Sequence, residues 1–141
     1  MGNEGLCRVL QGVKIANIFT IHTLHLQGNF LGPSCIYYIK DLAQTAILNN
    51  LKILNLNNNE LGDEGLMNVL QCIMDKQFMG LRELYLQRNS ITDYGFKKFV
   101  IYMKNIQTLY FPEIKRVGLE NNLVTPEMRE EMRPVPSFIS Y

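Results

Sequence analysis

Leucines and asparagines recur along the chain in a fixed order. Residues 51–65 read LKILNLNNNELGDEG, in which leucines fill the inward positions of a short strand before a turn asparagine, Asn59. The same order surrounds Asn29 and Asn89, which lie thirty residues to either side. After each block, apolar residues recur at the three- and four-residue spacing of one helix face. The pattern predicts a repeated unit made of a short strand, a turn and an amphipathic helix.

The thirty-residue step predicts a single domain, 1–141, that is divided by the repeat. We expect a partial N-terminal repeat over 1–20, repeats over 21–50, 51–80 and 81–105, an irregular C-terminal repeat over 106–133 with an insert at 112–119, and a tail over 134–141. In the irregular repeat, Ile106, Leu109 and Phe111 predict the strand, and Asn121 predicts the turn. The tail is expected to lie over the open end of this repeat.

Polar residues between strand and helix have predicted structural roles. The side-chain amides of the three turn asparagines can satisfy backbone groups that neither the strand ladder nor the helix reaches. Asp63 and Asp93 precede helical patterns and predict helix N-caps, and Asn3 predicts the same role for the first helix. These residues are therefore expected to shape the repeat and not to bind a partner.

The first segment has a helical pattern with no strand before it. We therefore expect the chain to be the C-terminal portion of a longer repeat protein. If Met1 is instead the native start, Leu6 and Val9 should pack under an unusual N-terminal cap.

Charge and cysteine content argue against several functional classes. The chain has 14 Lys and Arg against 13 Asp and Glu, a net charge of +1, so no overall field favours nucleic acid or a membrane surface. Its three cysteines lack C-x-x-C spacing and are expected to be reduced and packed. No apolar run of about 18 residues and no signal-peptide pattern occur, so we expect a cytoplasmic or nuclear protein.

These residues resemble the ribonuclease-inhibitor-like class of leucine-rich repeats. The leucine spacing, the turn asparagine and the L-G-D-E-G segment at 61–65 carry the resemblance, which covers residues 3–103 well and 106–132 loosely. It implies an α/β solenoid, a curved right-handed β-α superhelix with a parallel sheet on its concave face and helices on its convex face. Relatives share this shape and not one chemistry. The resemblance implies that the concave face binds protein.

The concave face supplies the candidate site. Because the leucines face the core, the alternate strand residues face outward. The candidate partner-binding residues are Thr23, His25, Gln27, Lys52, Ile53, Asn55, Asn57, Arg82, Glu83, Tyr85, Gln87, Arg88 and Tyr110. Thr108 is expected on the same face. Tyr85 and Tyr110, on adjacent predicted strands, are the expected anchors, since tyrosine combines apolar area with a polar tip.

The pattern contains little that predicts catalysis. His22 and His25 form an H-x-x-H, but three residues along a strand place them on opposite faces, where they cannot share a metal. We expect no catalytic, cofactor or metal site, and a monomeric, non-catalytic scaffold that binds a protein partner, unless the uncapped N-terminal end pairs. The alternative is a regulatory module that activates a small GTPase, as some relatives do. Binding to actin-filament ends, which the resemblance also allows, is a third possibility.

Overall fold

The computed structural model describes residues 1–16, 20–106 and 113–141, and five helices and five strands alternate through these residues. The helices are α1 (Gly2–Ile15), α2 (Cys35–Ala43), α3 (Gly62–Met74), α4 (Asp93–Ile106) and α5 (Pro126–Glu131). The strands are β1 (Thr23–His25), β2 (Ile53–Asn55), β3 (Glu83–Tyr85), β4 (Arg116–Gly118) and β5 (Ile139–Ser140). A 3₁₀ turn covers Ala46–Leu48.

The strands form one parallel sheet whose spatial order is the chain order, β1 to β5. Leu24 lies beside Leu54, Leu54 beside Leu84, and Leu84 beside Val117. Residues thirty positions apart are therefore neighbours across the first three strands, as the repeat predicts. The predicted α/β arrangement of a parallel sheet with helices is confirmed.

The inward strand residues and the apolar helix faces share one core. Leu54 and Leu84 are 0% exposed, and they belong to the same buried cluster as Val69 of α3 and Phe99 of α4. Consecutive helices pack against one another, α1 on α2, α2 on α3 and α3 on α4. Since a single strand and helix cannot bury both apolar faces alone, stacking the units is what creates the core.

The turn asparagines bind backbone groups, as predicted, and Asn59 and Asn89 also reach the backbone of the preceding unit. The Asn59 amide nitrogen donates to the carbonyl of Leu26 in the preceding unit and to that of Leu56 in its own, each at 2.9 Å. Its amide oxygen accepts from the backbone N–H groups of Asn29 and Leu31. One buried side chain thus satisfies polar groups that the strand ladder leaves without partners.

The prediction for the irregular repeat is wrong. Ile106 is the last residue of α4 and not the first of a strand, and β4 lies inside the predicted insert over 112–119. The backbone N–H groups of Lys115 and Arg116 donate to the carbonyl of Arg82, which ties this segment to β3. Residues 107–112, which include the expected strand residues Leu109 and Phe111, lie outside the described residues.

The physical reason is that the last unit uses other aliphatic residues at the leucine positions. Ile114, Val117 and Leu119 are buried at spacings that match those of the central unit. Asn122, and not Asn121, makes the turn: its amide nitrogen donates to the carbonyls of Leu86 and Leu119 at 2.9 and 2.8 Å. Core volume and not leucine itself is therefore what each inward position requires.

The predicted helix caps are also corrected. α3 has Leu61 at its N-cap position, without a side-chain hydrogen bond. The carboxylate of Asp63 instead accepts from the backbone N–H and hydroxyl of Thr92 in the next unit, and that of Asp93 accepts from the same two groups of Thr125. These aspartates link neighbouring turns, because stacking brings a second set of donors within reach.

Asn3 likewise does not have its predicted role as the N-cap of the first helix. α1 begins one residue before Asn3, whose side-chain oxygen accepts from the backbone N–H of Gly32 at 3.0 Å. Its amide nitrogen donates to the Ser34 hydroxyl at 2.6 Å. Leu6 is fully buried as predicted, whereas Val9 is 52% exposed and does not pack under a cap. Asn3 thus holds α1 to the unit that contains β1.

Candidate functional site

The outward side chains of β1 to β4, with the residues that flank these strands, define the sheet face. Parallel pairing sets its rows: Thr23, Ile53, Glu83 and Arg116 form the first, and His25, Asn55, Tyr85 and Gly118 form the second. Each inward neighbour in β2 and β3 is buried, whereas each outward residue is partly exposed. The face therefore gathers side chains from positions about thirty residues apart into contiguous rows.

Tyr85 lies near the middle of the sheet face and is held there by two charged neighbours. Its hydroxyl donates to the carboxylate of Glu83, and this hydrogen bond is the main reason that the pKa of Tyr85 is raised. The Arg116 guanidinium lies over the Tyr85 ring, 5.9 Å from its centre. The aromatic ring is thus fixed in a partly exposed position before any partner arrives.

Several predicted binding residues also serve the fold. The side-chain oxygen of Asn55 accepts from the backbone N–H of Asn57 at 3.0 Å, and that of Asn57 accepts from the backbone N–H of Gln87 at 2.7 Å. Gln87 covers Gly118, where a Cβ atom would collide with its amide. Asn55 and Asn57 therefore offer a partner mainly their amide nitrogens, because their oxygens already accept backbone hydrogen bonds, whereas the Gln87 side-chain oxygen is buried without a partner.

Basic residues flank the strands at both ends. Lys52 and Arg82 precede β2 and β3, and the Arg82 Nε donates to a carboxylate oxygen of Glu113 at 3.0 Å. Arg88 follows β3, is exposed and has a positive φ of 54°. Gln27 is exposed and follows β1 at the position that corresponds to Gln87. The sheet face is thus charged at its edges and contains Ile53 and Tyr85 near its centre.

The predicted pair of tyrosine anchors is corrected. The residue beside Tyr85 on β4 is Gly118, and the residue beside Glu83 is Arg116. Tyr110 and Thr108, which were expected in these places, lie outside the described residues. The error has the same cause as the misplaced strand, because residues 106–111 imitate the strand pattern with Ile106 in the leading position.

Sequence reasoning placed Lys115 and Arg116 in the insert and left both out of the partner-binding site, although they are exposed cations just before and at the start of β4. The sequence did contain a signal for the position of these two residues. The order Ile114, Val117 and Leu119 followed by Asn122 keeps the repeat spacing with isoleucine and valine in place of leucine. A search for aliphatic residues in general would have aligned Lys115 with Lys52 and Arg82.

The described residues give little support to catalysis or metal binding. Among them, no three His, Cys, Asp or Glu side chains cluster as metal ligands. His22 and His25 are both exposed. All three cysteines are free, and burial raises the pKa of Cys35 to about 12 and that of Cys72 to about 11, which keeps both as unreactive thiols. The side chains of the sheet face are suited to noncovalent contacts.

Comparison with known proteins supports the repeat at the centre of the chain. A family model described as Leucine Rich repeat matches residues 48–70, which contain β2 and most of α3. Curated proteins gave no match. Within the described residues, none of the helices has the length and apolar character needed to cross a membrane. Leucine-rich repeats commonly mediate binding between proteins, and the family is generally non-catalytic.

Proposed function

We propose that this chain is a non-catalytic scaffold of the ribonuclease-inhibitor-like type that binds a protein partner through the sheet face and the adjacent loops. In this proposal the units stack into a curved superhelix, and the sheet face is its concave surface. The repeat at 48–70 supports the proposal at the level of the family, because such repeats commonly mediate protein binding. The choice of face depends on the geometry of the side chains.

The observation that carries the proposal is the fixed position of Tyr85. Its ring lies under the Arg116 guanidinium and its hydroxyl is bonded to Glu83, so little rotamer freedom remains to be lost when a partner binds. Preorganised aromatic side chains near the centre of a face are the usual anchors of protein interfaces. Ile53, on the adjacent strand and diagonal to Tyr85, adds partly exposed aliphatic area beside it.

The surrounding residues fit the same role. Tyrosine and arginine are enriched in protein interfaces, and a polar rim around an apolar centre is typical of them. Here Arg82 and Arg88 lie at opposite ends of β3, on either side of Tyr85 along the strand. The GTPase-activating alternative stays a prediction from the resemblance, because no contact among the described residues favours it over binding alone.

Site-specific photo-crosslinking tests the proposal. A photoreactive amino acid in place of Ile53 should form covalent adducts with a defined set of proteins in a cell lysate, because this position borders the proposed anchor. The matched control has the same photoreactive group in place of Tyr37 of α2, which is 56% exposed on a helix. We expect the adducts from position 53 to be absent at position 37.

A second variant connects the adducts to the anchor. Adding Tyr85→Ala to the chain with the group at position 53 should remove most of the adduct yield, since the ring would no longer be present to bind the partner. Equal adduct yield at positions 53 and 37 would contradict the use of the sheet face. Unchanged yield after Tyr85→Ala would contradict the anchor assignment.

A further inference from the structure

A row of basic residues crosses the sheet at the start of its strands. His22, Lys52, Arg82 and Lys115 each lie directly before a strand, and we call these four residues the basic row. Backbone hydrogen bonds place them on adjacent strands: the N–H of Lys52 donates to the carbonyl of His22 at 2.7 Å, that of Arg82 to Lys52 and that of Lys115 to Arg82, both at 2.8 Å. At the usual strand spacing, Lys52 and Lys115 are about 10 Å apart along the sheet.

The charges of the basic row are only partly neutralised. Arg82 pairs with Glu113, but among the described residues no ion pair joins Lys52, Lys115 or the adjacent Arg116 to a carboxylate. The segments outside the described residues, 17–19 and 107–112, contain no Asp or Glu that could supply one. Lys115 and Arg116 are exposed and Lys52 is partly exposed, so a partner can reach this excess positive charge.

Three lysines on the helix side differ from Lys52 and Lys115 in their ion pairing. Each of them pairs with an acidic residue of the next helix or of the turn that follows it; the pairs are Lys14 with Asp41, Lys40 with Asp75 and Lys97 with Glu131. These three lysines are thus paired between units, whereas among the described residues Lys52 and Lys115 have no carboxylate partner. Lys98 of α4 also has no ion pair there, and its ammonium lies over the Tyr94 ring. This contrast separates the basic row from an ordinary solvated surface with mixed charge.

We propose that the basic row binds an acidic segment of the protein partner, a run of about three to four Asp or Glu residues in extended conformation. An extended chain rises about 3.3 Å per residue, so such a run covers the distance from Lys52 to Lys115. The inference rests on the proposed function, because it assigns the chemistry of the partner that the sheet face binds. Charge complementarity of this kind sets the partner class and the association rate.

A peptide fits the basic row better than nucleic acid does. Proteins that bind nucleic acid neutralise many phosphates and present a strongly basic domain. This chain has a net charge of +1, Glu113 pairs with Arg82 of the row, and Glu83 directly follows Arg82. Three closely spaced cations match a short acidic run and cover only a small part of a polynucleotide backbone.

Glu113 acts as an internal competitor in this proposal. Its carboxylate holds the Arg82 Nε at 3.0 Å, in the position that a carboxylate of the partner would occupy. Both side chains are about half exposed, so the pair can open without exposing the core. Removing the Glu113 charge should therefore increase the affinity for an acidic segment, a direction of change that loss of folding cannot produce.

Fluorescence anisotropy with a labelled octaglutamate peptide tests the first part of the proposal. The double variant Lys52→Gln/Lys115→Gln should bind the peptide about tenfold more weakly than the unchanged chain, since each exposed ion pair contributes about threefold. The control, Lys97→Gln/Lys98→Gln, removes the same charge from α4 and should stay within about twofold. Equal losses in both double variants, or no peptide binding by the unchanged chain at low salt, would overturn the proposal.

Two variants that each remove one carboxylate test the second part of the proposal, the competition by Glu113. Glu113→Gln should bind octaglutamate about threefold more tightly, whereas Glu131→Gln, which frees Lys97 on the helix side, should leave the affinity unchanged. Equal gains in both variants would show attraction to net charge alone and would overturn the proposal. A single-stranded oligothymidylate of equal charge that binds more tightly than the peptide, with the same dependence on Lys52 and Lys115, would overturn the assignment to an acidic peptide.

The two proposals fail in different ways. If the acidic segment is wrong and the sheet face still binds protein, the adducts from position 53 persist in the Lys52→Gln/Lys115→Gln chain. If the sheet face does not bind protein, the adducts from position 53 are absent whether or not the chain binds octaglutamate. Peptide affinity and adduct yield are separate measurements, so the failure of one proposal can be distinguished from the failure of the other.

Discussion

The two ends of the sheet differ in how their outermost residues are covered. Among the described residues, β1 has a strand partner on one side only, and its inward residue Leu24 is partly exposed. β4 lies between β3 and β5, and its inward residue Val117 is 0% exposed. The same position in the repeat is therefore buried at one end and partly open at the other.

This difference shows that the neighbouring units, and not the unit itself, bury the inward residues. The cover over β4 comes from a tail that has no repeat pattern: the carbonyls of Phe138 and Ser140 accept from the N–H groups of Val117 and Leu119 at 2.8 and 2.7 Å. The ring of Tyr141, the last residue, lies 5.2 Å from that of Phe96 in α4. The tail thus covers this end with β5 and with Val135, Phe138 and Tyr141, which are partly buried against the core.

Truncating the equivalent leucines of β1 and β2 should show most strongly how much a neighbouring unit contributes to burial. Leu54→Ala in β2 should lower the free energy of unfolding by about 2–5 kcal/mol, because a fully buried side chain leaves a cavity between two neighbouring units. Leu24→Ala in β1 should cost about half as much, since part of that side chain is already in water. Urea denaturation followed by circular dichroism measures both, and equal losses would contradict the role of the neighbouring unit.

Replacing the turn asparagines at the two ends should also lower the free energy of unfolding by different amounts. Asn122→Ala removes hydrogen bonds to Leu86 and Leu119 and to the N–H groups of Asn89 and Ile91, so it should cost about 2–4 kcal/mol. Thermal and urea unfolding of this variant would give that value.

Asn29→Ala is the matched variant at the other end. Its amide nitrogen donates to Leu26 and Gln27 of its own unit, at 3.1 Å each, and the expected cost is about 1 kcal/mol. Asn121→Gly serves as the control for the last turn, because Asn121 is exposed and its φ of 59° suits glycine. A larger loss for Asn121→Gly than for Asn122→Ala would mean that Asn122 does not make the turn.

Most of the fold could be predicted because the central units follow one physical rule. Each strand needs inward aliphatic residues, and each turn needs an amide that can both donate and accept. Leu54, Leu56 and Asn59 meet these needs, and the thirty-residue step made the parallel register of β1, β2 and β3 predictable. The alternation of side chains along each strand then predicted which residues of β1, β2 and β3 face outward, among them Thr23 and Glu83.

The last unit could not be predicted by leucine spacing. Ile106, Leu109 and Phe111 have the strand spacing in the sequence, but Ile106 is the last residue of α4, and the observed strand uses Val117 between Ile114 and Leu119. Both segments have enough apolar residues for a strand, and only pairing with β3 distinguishes them. This one misplacement removed Lys115 and Arg116 from the predicted site and hid the basic row.

The turn aspartates show a second limit. A sequence reveals that Asp63 can accept hydrogen bonds near a helix start, but it does not reveal whose donors lie closest. Stacking places the N–H and hydroxyl of Thr92 beside Asp63, and those of Thr125 beside Asp93. Contacts between units depend on distances across the stack, which local propensity does not contain.

Ile139→Ala tests the closure of the C-terminal end and should lower the free energy of unfolding by less than Leu54→Ala does, by about 1–2 kcal/mol. Ile139 is buried opposite Val117, but β5 has two residues and can open without unfolding the sheet, which limits the cost of truncation. Hydrogen exchange followed by NMR should show faster exchange of the Val117 and Leu119 amides, which donate to the tail.

The Leu56 amide, which donates to the Tyr85 carbonyl at 2.9 Å in the middle of the sheet, is the internal control for Ile139→Ala and should keep its protection. Loss of protection at all three amides would mean that β5 supports the whole sheet. Unchanged protection at Val117 and Leu119 would mean that Ile139 does not hold β5 in place. Selective loss of protection at these two amides would show that β5 has opened and that β4 has one strand partner, like β1. The C-terminal end would then have the partial exposure seen at Leu24.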